Sequence, residues 1–155
     1  MTGGLNTYGY VGGNPLLWTD FLGLRYEDVQ QAWNWLVLNY PQLTENVDVF
    51  SNPILNYSSA SGISYGNSIV IQESYVTDCL NEEEINDLRY TLIHELLHLN
   101  LNNHLGGLSN YLMLDIITNG KYHDWVYKNA ADILRYWQGL TPPNSAPPNI
   151  GQYPK

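Results

Sequence analysis

The stretch from Asn81 to His104 restricts this chain more than any other part of its sequence. Asn81 can cap a helix, Glu84 three residues on completes a capping box, and Glu82 and Glu83 complement the helix dipole. Ile85, Leu88, Leu92, Leu96 and Leu99 then gather on one side of that helix. His94 and His98, four residues and about 40° apart, share the roughly opposite side with Asp87 and Thr91. Such a helix must bury one side in a core and open the other to a cleft. Asp87 and Thr91 either orient a ligand there or meet solvent.

The two histidines belong to the run His94-Glu95-Leu96-Leu97-His98. At this spacing both imidazoles reach one tetrahedral ion, and zinc takes neutral imidazole readily. Glu95, rotated by about 100°, lies beside that ion rather than on it, a placement that suits a base acting on a metal-bound water. H-E-x-x-H should arise by chance in roughly half a percent of chains of this composition, so the match is informative mainly because it falls on an independently expected amphipathic helix.

The remaining elements follow from periodicity and turn residues. Tyr26, Val29, Trp33, Leu36 and Tyr40 recur at helical spacing until Pro41, giving a helix at 26–39. Strands are expected at 47–50, 63–65 and 68–72, with Gly66-Asn67 turning the last two, and further helices at 108–118 and 123–138 around Asn119-Gly120. Together these describe an α+β domain with a small sheet and an active-site helix. Residues 25–140 form that domain, whereas 141–155 hold five of the eight prolines and read as an extended or disordered tail.

Charge narrows the ligand class. Six Lys and Arg stand against 15 Asp and Glu, for a net charge of −9, and the cations are scattered. A nucleic-acid partner is therefore not expected, because phosphate binding draws on clustered cations. No apolar run is long enough for a membrane span, no ordinary signal peptide opens the chain, and the lone Cys79 excludes an internal disulfide.

Two resemblances extend this reading. HExxH on a helix is similar to the zinc-binding motif of zincin metallopeptidases, and His94–His104, HELLHLNLNNH, has the spacing HExxHxxGxxH of the metzincin branch. The resemblance implies zinc held by His94, His98 and His104, with Glu95 as general base. Leu101 occupies the place of the metzincin Gly, so His104 reaches the ion only if the asparagines at 100, 102 and 103 break the helix. Asp115, His123 and Asp124 are the alternative third ligands. Met113 is expected in the core, and Tyr111, Tyr122 and His123 are candidates for stabilising an oxyanion.

Residues 3–24 resemble the end of the Rhs/YD-repeat core. Gly4, Leu5, Tyr8, Tyr10, Val11, Asn14, Pro15, Asp20, Gly23 and Leu24 match its pattern in order, with Phe21 in place of the usual Pro. The resemblance implies a C-terminal toxin released by self-cleavage after Leu24, with Asp20 in the cleavage machinery. It also implies secretion or delivery inside a carrier shell, action in a recipient cell and a cognate immunity protein. The expected function is a zinc metallopeptidase toxin acting on a protein substrate. Its rivals are a nuclease-type Rhs toxin and a non-enzymatic domain with structural zinc.

Overall fold

The structure, a computed structural model, describes residues 26–77, 79–143, 145–150 and 153–154. Asp20, Leu24 and the rest of the 1–24 segment lie outside the described residues. Helix α1 spans Tyr26–Asn39 and a short α2 spans Pro41–Thr44. Strands β1 (Asp48–Asn52), β2 (Gly62–Tyr65) and β3 (Ser68–Gln72) follow, with a 3-10 turn at Pro53–Tyr57. After α3 (Ser74–Thr77) come the long α4 (Glu82–His104), α5 (Leu108–Ile117) and α6 (Lys121–Trp137).

The sheet has the order β1-β3-β2, with β1 parallel and β2 antiparallel to β3. Strand β2 is therefore an edge. Alternation along the strands sends Val49, Ile69 and Ile71 into the core and leaves Phe50 and Ile63 exposed. The helices cover one face, so the domain is α+β.

Helix α4 is the axis of this arrangement. Asn81 accepts from the backbone N–H groups of Glu83 and Glu84, while the Glu84 carboxylate accepts from the Asn81 N–H at 2.7 Å, completing the capping box. The sheet, α1, α5 and α6 all pack on α4. Leu88, Leu92, Leu96 and Leu99 are buried as their spacing requires, and Ile93, Leu97 and Leu101 are buried as well. Surrounded on most sides, α4 carries a wider apolar surface than a single stripe. Stacking of Trp35 on Trp137, centroids 4.0 Å apart, joins α1 to α6.

Two sequence expectations need correction here. Met113 is 56% exposed and lies with Leu112, Ile116 and Ile117 on the outer side of α5, because Tyr111 is the residue that α5 buries against the domain. The proline-rich tail, expected to be extended or disordered, has described residues that touch the core. Ile150 and Tyr153 pack against it, with the Tyr153 ring stacked on His104 and tilted toward Trp125.

Candidate metal centre and cleft

His94 and His98 project from the middle of α4, and their Nε2 atoms lie 3.1 Å apart. His123, in the first turn of α6, joins them. One ligand atom from each of the three lies within 4.8 Å of the others. Zn–N bonds of about 2.0–2.1 Å in a tetrahedral arrangement put two nitrogens roughly 3.3 Å apart, so the histidine pair already has nearly the spacing of ligands. All three rings are half-buried. Burial, with His123 nearby, pushes His94 down to about 4. Burial, with His94 and His123 nearby, pushes His98 down to about 3. Both are therefore neutral at physiological pH, the form in which imidazole binds a cation.

The tight connection between α5 and α6 delivers His123. Gly120 precedes α6 and has no side chain to cap it. Asp115 supplies the missing acceptor from the neighbouring helix, with its Oδ1 taking the backbone N–H of His123 at 2.8 Å. Asp115 is thus a support for His123 and stands outside the three-nitrogen group. Asp124 is exposed on the next position of α6 and is outside the group too.

His104, the first expectation for the third ligand, is placed elsewhere. Helix α4 runs unbroken through residues 100–103, so His104 sits about 9 Å farther along the axis than His98 and about 120° around it. Its ring stacks on Tyr153 at 4.0 Å. The asparagines do not break the helix, and the amide of Asn100 is engaged by backbone carbonyls. Asn100 donates to Leu96 O at 2.9 Å and to Leu43 O at 3.1 Å, tying α4 to α2. The helix ends instead at Gly106, where φ is +81°. Gly106 N–H donates to Asn103 O and Gly107 N–H to Asn102 O, the paired bonds of a Schellman ending.

Glu95 emerges beside the histidines toward β2. Burial pushes its carboxyl up to about 7, against opposing hydrogen bonds from the Ser64 hydroxyl and backbone. Close packing holds it there. A Cβ on Gly62 would lie 2.6 Å from Thr91 Cγ2 and 3.1 Å from Glu95 Cγ, so only glycine lets β2 approach α4 this closely.

These groups line one cleft of about 470 Å³, bounded by β2 and the residues before it, by α4, and by the starts of α5 and α6. Tyr111 meets His98 edge-on at 5.3 Å, and its phenol is pushed up by burial, then by Asp115 and Glu95, so it remains a proton donor at neutral pH. Tyr122 is buried in the core and does not line the cleft, which removes it as an oxyanion candidate. Sequence reading missed Tyr127, whose ring lies 4.5 Å from His123 and 5.0 Å from His94. Its position four residues after His123, on the same face of α6, is the signal that could have found it.

Fold and site together define an α+β protein with three clustered histidines and a partly buried carboxyl in one open cleft. No family model, curated protein or solved structure matches the chain.

Proposed function

We propose that this domain is a zinc-dependent peptidase of the zincin type, with His94, His98 and His123 as the metal ligands. The observation that carries the reading is the convergence of three imidazoles and the Glu95 carboxyl on one cleft. The three-nitrogen donor set and its spacing fit zinc, which would supply a Lewis acid for a carbonyl and an acidified water. Among the described residues the group numbers three donors. A catalytic site of this kind leaves a position for substrate, whereas a structural site closes with a fourth protein ligand.

The chain's own residues divide the remaining work. Glu95, beside the histidines in the cleft, takes the proton of the attacking water as the new C–O bond forms. It then hands that proton to the amine nitrogen as the C–N bond breaks. Tyr111, protonated and at the cleft wall, is placed to donate to the oxyanion that develops on the carbonyl. Strand β2 runs along the cleft as a sheet edge, a surface on which an extended peptide can lie.

Among the described residues no Lys or Arg lines the cleft, which disfavours the nuclease alternative, since a phosphodiester substrate needs cationic neutralisation there. The Rhs-like segment at 3–24 supports a toxin delivered within a carrier and countered by an immunity protein. The test is expression of the domain in a susceptible cell, together with digestion of an unfolded protein by the zinc-loaded domain. Glu95→Gln should keep its zinc and lose both toxicity and hydrolysis by at least about a hundredfold, the usual range for a general base. A fully toxic Glu95→Gln variant overturns the reading.

A further inference from the structure

We propose that the cleft selects peptides carrying a basic side chain near the scissile bond, with Asp87 as the specificity-determining carboxylate. The inference rests on the peptidase reading and names the substrate class of the same site.

Asp87 precedes His94 by seven residues, two turns of α4, so the two lie within about 20° of one face and about 10 Å apart along the axis. Both line the cleft, and Asp87, exposed to solvent, shares the Tyr75 hydroxyl with Ser61 there. The carboxylate is fixed in place. Tyr75, whose ring is buried, donates its hydroxyl to Asp87 Oδ2. The same phenol exchanges hydrogen bonds with Ser61 and Thr91, so a polar frame from α3, α4 and the residue before β2 surrounds the acid.

With no Lys or Arg among the described lining residues, Asp87 has no cation of this cleft to neutralise it. Tyr90, one turn after Asp87, and Tyr127 also line the cleft, with ring centroids 5.6 and 5.0 Å from that of His94, and aromatic rings attract a cation. The net charge of −9 acts in the same direction by drawing basic peptides toward the molecule. An extended peptide advances about 3.3 Å per residue, and the span from the His94 and His98 pair back to Asp87 is roughly 10–16 Å along α4, so it corresponds to about three to five residues. A lysine or arginine within that range of the scissile bond, on the side that runs toward Asp87, places its charge there. Acidic side chains at the same position are repelled.

The experiment measures recognition apart from hydrolysis. Zinc-loaded Glu95→Gln protein is titrated with capped, otherwise neutral octapeptides bearing a single Lys or a single Glu stepped along the sequence. At one or two positions the Lys peptide should bind at least tenfold tighter than its Glu counterpart. Adding Asp87→Asn, which preserves an acceptor for Tyr75, should shrink that ratio below about threefold without changing zinc content. Tyr75→Phe, which leaves the charge in place, should retain most of it. Equal binding of the two series, or a ratio unchanged by Asp87→Asn, overturns the proposal. Selective binding by a protein whose wild type cleaves none of these peptides would support the recognition site and remove the peptidase reading instead.

Discussion

At the scale of single residues, roles follow from what each side chain touches. His94, His98 and His123 share the centre, and Asp115 acts on it through the backbone of His123. His104 is engaged with Tyr153. Zinc titration of alanine variants should therefore rank in three steps. His123→Ala should weaken binding as severely as His98→Ala. Asp115→Ala should cost less, in the ~10–100-fold range typical of groups that orient a ligand. His104→Ala and Asp124→Ala should stay within about threefold of wild type, well below that range. Normal affinity in His123→Ala would return the third ligand to one of the other candidates.

At the scale of elements, the site depends on how closely β2 meets α4. Gly62→Ala puts a methyl group 2.6 Å from Thr91 Cγ2 and 3.1 Å from Glu95 Cγ. Thr91 is β-branched and buried, so it cannot swing aside, and either β2 moves away or Glu95 is displaced. Overpacking of this kind costs about 1–3 kcal/mol. Thermal or urea unfolding should show that loss, with activity falling alongside it. Thr91→Ser, which removes the offending methyl, should restore most of both in the double variant. Additive losses in the double variant would locate the strain elsewhere.

At the scale of the whole molecule, the core is separable from the three-histidine group. Val29, Leu36, Ile69, Leu92, Leu97, Val126 and Ile133 are buried without involving the histidines, so chelation should abolish activity and leave the helical circular-dichroism signal. The metal-free domain should then be sensitive to acid. His94 and His98 have folded pKa values of about 4 and about 3 against an ordinary 6.5, so the unfolded chain takes up protons that the native state refuses. Stability from these two groups is full above pH 6.5 and is lost as pH falls toward 4 and below. Glu95, raised from 4.5 to about 7, has the opposite sign, since its native state gains stability by holding a proton as pH falls through 7. It offsets about one of the two histidine contributions between pH 6.5 and 4.5. Denaturant midpoints of the metal-free protein should therefore fall with pH in that window, and about twice as steeply in Glu95→Gln. Equal slopes in the two proteins would show that Glu95 titrates as an exposed acid.

The sequence by itself determined the local elements and two of the three clustered histidines. Spacing and caps specify α1 and α4, Gly66-Asn67 marks the hairpin of β2 and β3, and HELLH places two imidazoles and a carboxylate on one helix. All of these are set within a few residues of chain, where backbone geometry alone fixes relative position. Where α4 ended was also written locally, in Gly106-Gly107, but three asparagines offered a competing signal, which the helix overrides with the Asn100 amide bonded to Leu96 and Leu43. The choice of His123 over His104 is of another kind. It depends on α6 packing back along α4, on Asp115 reaching the start of α6, and on Tyr153 occupying the ring of His104. The same holds for Gly62, whose lack of a side chain acquires meaning only when β2 lies against Thr91 and Glu95. Contacts between residues far apart in the chain carry no period or spacing, because the packing of whole elements creates them, and so only the tertiary structure decided them.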